Sequence, residues 1–132
     1  MYALVPAAIG FAIGAYLPFQ AWREVADPAV RHASLGRLLV LVALPGSALM
    51  FALVATVLTS QDPANDYSMA LLAVGAGALT QGAVQGFVAR RAMPRVAEDP
   101  EAMGRALPLL ALPELLTLGP FVYLFLLLGK SL

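Results

Sequence analysis

Residues 106–129, ALPLLALPELLTLGPFVYLFLLLG, decide the fold of this chain. The stretch contains one charged residue, Glu114. A helix needs about 20 mostly apolar residues to cross the hydrocarbon core of a bilayer. We therefore predict that this stretch is a transmembrane helix with a carboxylate inside it.

Three further stretches have the same character, at roughly residues 2–22, 38–59 and 68–89. The chain has 132 residues, of which 61% are hydrophobic and 12% charged, whereas soluble domains are about one-quarter charged. Its mean hydropathy is +0.82. These values predict an all-α membrane protein with four transmembrane helices.

The composition also excludes several classes of protein. The formal net charge is zero, so no nucleic-acid partner is expected. The chain has no cysteine, so disulfides, thiol chemistry and thiolate metal sites are excluded, and no metal site is predicted. The first apolar stretch lacks the basic start of a signal peptide, and we expect it to be a retained helix.

Basic residues predict the orientation in the membrane. The two connections at 23–37 and 90–105 hold the seven arginines, which are Arg23, Arg31, Arg37, Arg90, Arg91, Arg95 and Arg105. The connection at 60–66 has none, and the C-terminal end has only Lys130. The positive-inside rule predicts cytoplasmic loops at 23–37 and 90–105 and puts both termini outside the cytoplasm.

An internal repeat joins the two halves at an offset of 68 residues. The matched positions are Gly14 and Gly82, Phe19 and Phe87, Ala21 and Ala89, Arg23 and Arg91, Gly36-Arg37 and Gly104-Arg105, Leu44-Pro45 and Leu112-Pro113, and Val54 and Val122. We predict two tandem helical hairpins, 1–62 and 63–132, of which the first lacks a membrane acid. Chance similarity between helices rich in alanine, leucine and glycine is the alternative.

Small residues recur along the first and third helices. Ala78, Gly82 and Gly86 form one stripe, and Gly10 and Gly14 form a shorter one. Such stripes let helix backbones approach closely in lipid. They predict slim helices 1 and 3 on an inner circle with bulkier helices 2 and 4 outside. Ordinary packing within one four-helix bundle is an equal alternative.

Glu114 is the chemically informative residue. It lies nine residues after Arg105, or about 13 Å along a helix, near the middle of a core about 30 Å thick. An ionised carboxylate is costly there, so we expect it to be mostly protonated in place. The functional interpretation is a carrier of protons or cations, and the structural alternative is a satisfied interhelical hydrogen bond.

Counting nine residues from the arginine of each helix predicts that Gly14, Gly46, Gln81 and Glu114 share one layer. Gln81 is then the expected hydrogen-bond partner of Glu114, because its amide can donate and accept.

Further residues near that layer are polar candidates or prolines. Ser47, Thr80 and Thr117 are the hydroxyl candidates, and Gln85 lines an access route or simply holds helices together. Pro45 and Pro113 each free a carbonyl one turn back, which the site could use.

The run 97–107, AEDPEAMGRAL, followed by Leu112-Pro113-Glu114, resembles the last hairpin of the c (proteolipid, K) subunit of V-type and archaeal A-type rotary ATPases. Residues 75–82, GAGALTQG, are similar to the inner helix of that family, and Leu44-Pro45-Gly46 resembles its degenerate first hairpin. The resemblance covers nearly the whole chain and is more specific in the second half.

The resemblance implies a homo-oligomeric ring in the lipid bilayer. Glu114 matches the ion-binding carboxylate of the family, which is released opposite a stator arginine, and Gly46 matches the position without an acid in duplicated members. Central-stalk subunits would dock on the cytoplasmic loops. The chain would be a non-catalytic, ion-translocating subunit without cofactors.

The resemblance also bears on the transported ion. Sodium-binding relatives look like Pro-Gly-Thr-Gln with a tyrosine three residues after the glutamine, whereas this chain has Ala48 and Phe51 there. A hard cation needs several oxygen ligands, so we favour H⁺ over Na⁺. The alternatives in other classes are a small proton-coupled transporter or channel subunit that uses Glu114, and a scaffold proteolipid.

Overall fold

A computed structural model describes residues 1–130 of the chain. This part is helical and contains no strand. Its helices are α1 Leu4–Arg23, α2 Pro28–Ala33, α3 Leu35–Ala43, α4 Gly46–Ser60, α5 Ser68–Glu98, α6 Pro100–Ala111 and α7 Leu115–Lys130, with a 3-10 turn at Leu112–Glu114.

Among the described residues, four segments are long and apolar enough to cross a membrane. They are Leu4–Arg23, Leu35–Ser60, Ser68–Glu98 and Pro100–Lys130. The prediction of an all-α protein with four transmembrane helices is confirmed. The last two residues of the second predicted hairpin, 63–132, lie outside the described residues.

The prediction of a loop over residues 90–105 is wrong. Helix α5 continues to Glu98 and α6 begins at Pro100, so the chain turns at Asp99 alone. The Asp99 carboxylate accepts the backbone N–H of Glu101 at 3.0 Å, which caps α6. Pro100 has no N–H to lose and occupies the first position of the helix.

The connection at 23–37 is likewise shorter than predicted. Asp27 accepts the backbone N–H of Ala29 at 2.9 Å and starts α2. Trp22 fastens this region from α1, because its indole N–H donates to the Arg31 carbonyl at 3.0 Å and to the Ser34 hydroxyl at 3.2 Å. The irregular residues of this connection are those between α1 and α2 and the single residue Ser34 between α2 and α3.

Prolines interrupt the second and fourth spans at matching places. Helix α3 gives way to α4 at Leu44–Pro45, where the N–H of Ser47 bonds to the Leu44 carbonyl at 3.3 Å. Helix α6 gives way to α7 through the 3-10 turn that holds Pro113. Proline cannot donate to the helical ladder, so the hydrogen-bond ladder of each span is interrupted at its Leu-Pro pair.

Helix α1 packs along α5 through backbone-to-backbone contact. A Cβ added to Gly10 would lie 2.6 Å from the Ala78 carbonyl oxygen, and one added to Gly86 would lie 2.9 Å from the Cα of Gly14. A Cβ on Gly82 would collide with the carbonyl group of Gly10. The five small residues singled out in the sequence therefore meet in one interface, where a side chain on any of the four glycines would push the helices apart.

Helix α5 also receives the other spans. A Cβ on Gly77 would collide with the Leu116 carbonyl of α7. At the arginine-rich end, the Arg37 guanidinium donates to the carbonyls of Val96 at 2.8 Å and Ala97 at 3.1 Å. Helices α4 and α7 meet through Phe51 and Phe121, whose ring centroids are 4.9 Å apart. Every span of the protomer thus packs on α5.

We predict that Gly82→Ala destabilises the protomer by about 1–3 kcal/mol, because an overpacked methyl group forces backbones apart. Gly104→Ala is the matched control, since nothing lies within 4 Å of its added Cβ and alanine favours helix. The measurement is equilibrium unfolding in mixed detergent micelles. Equal stability of the two variants would contradict the interface described for α1 and α5.

Candidate functional site

Glu114 ends the 3-10 turn at the centre of the fourth span. The nearest charged residue before it in the chain is Arg105 and the nearest after it is Lys130. Its side chain is half-buried, while Pro113 before it and Thr117 after it are buried. Glu114 therefore lies at the edge of the face that packs on α5 and is partly exposed on the protomer.

The predicted hydrogen bond between Gln81 and Glu114 is wrong for the protomer. Gln81 is fully buried, and its amide oxygen accepts the Thr117 hydroxyl at 2.6 Å. Its amide nitrogen donates to the Ser47 hydroxyl at 3.1 Å and to the Gln85 side-chain oxygen at 3.3 Å. Both the oxygen and the nitrogen of the Gln81 amide are therefore hydrogen-bonded to residues other than Glu114.

Among residues 1–130, no hydrogen bond or ion pair reaches the Glu114 carboxyl. The ion pair found in this part of the chain joins Arg105 and Asp99 at 3.2 Å, outside the apolar region. No group of three or more His, Cys, Asp or Glu residues that could hold a metal occurs in the same residues. Within the part of the protomer that the structure describes, the acid has neither a counter-charge nor a hydrogen-bond partner.

A series of hydrogen-bonded side chains runs through the bundle beside Glu114. This polar chain consists of Ser47, Gln81, Gln85 and Thr117. Within the polar chain, Gln81 bonds to Gln85, and the amide nitrogen of Gln85 donates to the Leu110 carbonyl at 2.8 Å. At its other side the Ser47 hydroxyl donates to the Leu44 carbonyl at 3.2 Å. The polar chain joins α4, α5, α6 and α7 and leaves none of its buried side-chain atoms without a partner.

Gln85 binds the Leu110 carbonyl and not the Leu109 carbonyl that Pro113 was expected to free. Pro113 deprives the Leu109 carbonyl of its helical donor, yet Gln85 binds the next carbonyl, that of Leu110. The 3-10 turn explains this choice, because it replaces four-residue hydrogen bonds with three-residue ones. Gln85 therefore holds helices together and does not line an access route.

The remaining predicted residues lie apart from this polar chain. Thr80 is exposed and its hydroxyl donates to the Ala76 carbonyl at 2.8 Å. A Cβ on Gly46 would lie 3.5 Å from the Phe11 ring. Gly14 lies against Pro45 and the Gly82 carbonyl. Of the hydroxyl candidates, Ser47 and Thr117 enter the polar chain and Thr80 does not.

The link between Gln81 and Gln85 was not predicted from the sequence. The signal was present, because the two amides are four residues apart and side chains at that spacing share a helix face. The direction of that face, toward Thr117 and Leu110, depends on how α5 is rotated in the bundle. Spacing along one helix does not contain that information.

Asp66, which lies outside the membrane-spanning helices, has a lowered pKa. It lies in the connection between α4 and α5, where the hydroxyl and the backbone N–H of Ser68 both donate to its carboxylate. These bonds favour the charged form and lower the pKa of Asp66. The exposed group fastens the start of α5 and is remote from Glu114.

We predict an energetic coupling between Gln81 and Thr117. The single variants Gln81→Leu and Thr117→Val each break the 2.6 Å hydrogen bond, so the double variant should lose less than the sum of the two. Interhelical hydrogen bonds in membranes couple by about 0.6–1.7 kcal/mol. A double-mutant cycle on the free energy of unfolding measures this value, and strict additivity would contradict the geometry.

Residues 69–127 match the family model that describes the C subunit of ATP synthase. The match begins in the first turn of α5 and ends near the end of α7, so it covers the second hairpin and includes Gln81 and Glu114. No curated protein matches the chain. Proteins of the matched family form rings in the membrane. The similarity supports a c-type proteolipid, an integral multi-pass membrane protein of ATP synthase ion translocation.

Proposed function

We propose that this protein is the ion-carrying proteolipid of the rotor ring of a V-type or A-type ATPase, and that Glu114 carries H⁺ by reversible protonation. The observation that carries the proposal is a half-exposed carboxyl at the centre of a span, without a partner in its own protomer. The match of residues 69–127 to the ATP synthase proteolipid family supports the general class.

The physical argument starts from the cost of charge in lipid. An ionised carboxylate at the bilayer centre costs several kcal/mol, so Glu114 travels through lipid only after a cation has neutralised it. Its position on the side of the protomer leaves it open to a neighbouring copy or a stator subunit. A stator arginine would favour the ionised form and release the ion there.

Two features favour H⁺ over Na⁺. A hard cation requires several oxygen ligands, yet the amide oxygen of Gln81 already accepts from Thr117. The Ser47 hydroxyl is engaged with Gln81 and the Leu44 carbonyl. A proton requires only the carboxyl oxygen of Glu114, so the occupied polar chain is no obstacle to it.

A duplicated hairpin accounts for the single acid. The hairpins 1–62 and 63–132 each have a span interrupted at a Leu-Pro pair, at Leu44-Pro45 and at Leu112-Pro113. After these pairs the first hairpin has Gly46 and the second has Glu114. We infer that one ion site serves four helices, so a ring of given circumference moves half as many ions per turn.

The proposed orientation puts the arginine-rich turns, at 23–37 and 90–105, in the cytoplasm. Seven arginines lie in these two segments. Central-stalk subunits would then contact these turns, and the connection at 60–66 would face the other side together with both termini.

We predict that Glu114→Gln abolishes proton flux, because the amide cannot release a proton. Flux is measured in membrane vesicles that hold the complete complex. Glu24→Gln is the matched control, since Glu24 is an exposed acid outside the spans and should leave flux unchanged.

Native mass spectrometry of the same variants in mild detergent tests assembly. Both should form the same large, discrete oligomer as the unaltered protein. Persistent flux in Glu114→Gln would refute the carrier role, and a monomer or dimer would favour a small transporter over a ring.

We also predict that a hydrophobic carbodiimide modifies Glu114 at the same rate with and without sodium. The reagent requires a protonated carboxyl, and a site without spare oxygen ligands should not retain Na⁺. Peptide mass spectrometry locates and quantifies the adduct. Protection by sodium would overturn the choice of ion while leaving the rotor proposal intact.

A further inference from the structure

A groove of about 500 Å³ runs along the outer seam between α5 and α6 at the arginine-rich end of the bundle. One face of each helix forms its walls. The lining residues are Val88, Arg91, Ala92, Arg95 and Val96 from α5, and Ala102, Arg105, Ala106 and Leu109 from α6. Its volume falls in the range of small-molecule sites, about 300–1,000 Å³.

The basic side chains of the groove converge from both helices. Arg91 and Arg95 are one turn apart on α5, so they share a face, and Arg105 faces them from α6. Asp99 pairs with Arg105 at 3.2 Å. Among residues 1–130, no hydrogen bond or ion pair engages the guanidinium groups of Arg91 and Arg95. The groove therefore presents two free guanidinium groups and a third that is partly neutralised.

The floor of the groove is apolar and continues toward the membrane. Ala92, Val96 and Ala106 lie between the arginines, and Val88 and Leu109 extend the floor toward the centre of the spans. The Leu109 side chain is 60% exposed. A ligand that fills this groove must therefore be anionic at one end and apolar at the other.

We propose that the groove binds the head group of an anionic phospholipid, with its phosphate held by Arg91 and Arg95. Guanidinium groups donate paired N–H bonds to phosphate oxygens, and basic pockets between transmembrane helices at this depth suit such head groups. The glycerol and the upper acyl chain lie on Ala92, Val88 and Leu109.

A soluble phosphate compound offers the same anion but leaves the floor uncovered. The groove opens where the arginines give way to the apolar part of each span, at Val88 and Leu109. A lipid phosphate already occupies that depth and does not have to be transferred from bulk water. This continuity favours the lipid, and it does not depend on the proposed transport role of Glu114.

Native mass spectrometry of the assembled protein, titrated with phosphatidylglycerol or phosphatidylcholine, tests the proposal. We expect tighter binding of phosphatidylglycerol. The double variant Arg91→Gln/Arg95→Gln should weaken the binding of phosphatidylglycerol about 30-fold, because each arginine near an anionic surface contributes about fivefold. The binding of phosphatidylcholine should not change.

Arg90→Gln is the matched control. Arg90 is adjacent in sequence and exposed, but it does not line the groove, so its loss should not change phosphatidylglycerol binding. Arg91→Lys/Arg95→Lys keeps the charge and loses the paired geometry, so it should retain part of the binding. The oligomer mass and helix content of each variant verify that it folds.

Three outcomes would overturn the proposal. The first is an assembled protein with no preference for phosphatidylglycerol, as expected where a neighbouring copy covers the groove. The second is a loss of phosphatidylglycerol binding in Arg90→Gln that equals the loss per removed charge in the double variant, as expected for diffuse electrostatic attraction. The third is displacement of the lipid by inorganic phosphate, added alone in millimolar amounts, as expected for a site for soluble anions.

Discussion

The backbone contact between α1 and α5 is the constraint on which the rest of the structure depends. Gly10 and Gly14 of α1 meet Gly82 and Gly86 of α5 without intervening side chains. In lipid, helices gain little from burying apolar surface, so such close packing is a main source of their association. Because α1 covers this face of α5, the adjacent face with its two glutamines turns toward α4, α6 and α7.

That rotation determines which polar groups meet. Gln81 and Gln85 can satisfy their amides only from within the bundle, since lipid offers no hydrogen bonds. They bind Thr117, Ser47 and the Leu110 carbonyl. Glu114, three residues before Thr117, lies at the margin of the same contact and is left without a partner among residues 1–130. The buried polar side chains and the acid thus lie close together along α7, but they are not bonded to each other.

The two connections at the arginine-rich end differ although the sequence repeats there. Arg37 turns inward and caps the carbonyls at the end of α5, where a positive charge is favoured by the helix dipole. Arg105, at the matching position 68 residues later, stays exposed and pairs with Asp99. The first hairpin therefore supports the second, and the groove beside Arg91 and Arg95 is left open. The matching positions Arg37 and Arg105 differ in their contacts because only Arg37 packs on the end of α5.

The sequence by itself determined the number of spans, their approximate limits and the place of Glu114 midway along the fourth span. These properties follow from the length of apolar runs and from the rise of a helix, which local composition specifies. It did not determine that α5 and α6 continue through 90–105, because capping by Asp99 depends on local geometry. Only the tertiary structure decided that Gln81 binds Thr117 and Ser47 and not Glu114. The partner of a side chain depends on the rotation of each helix about its axis, and contacts between helices distant in sequence set that rotation.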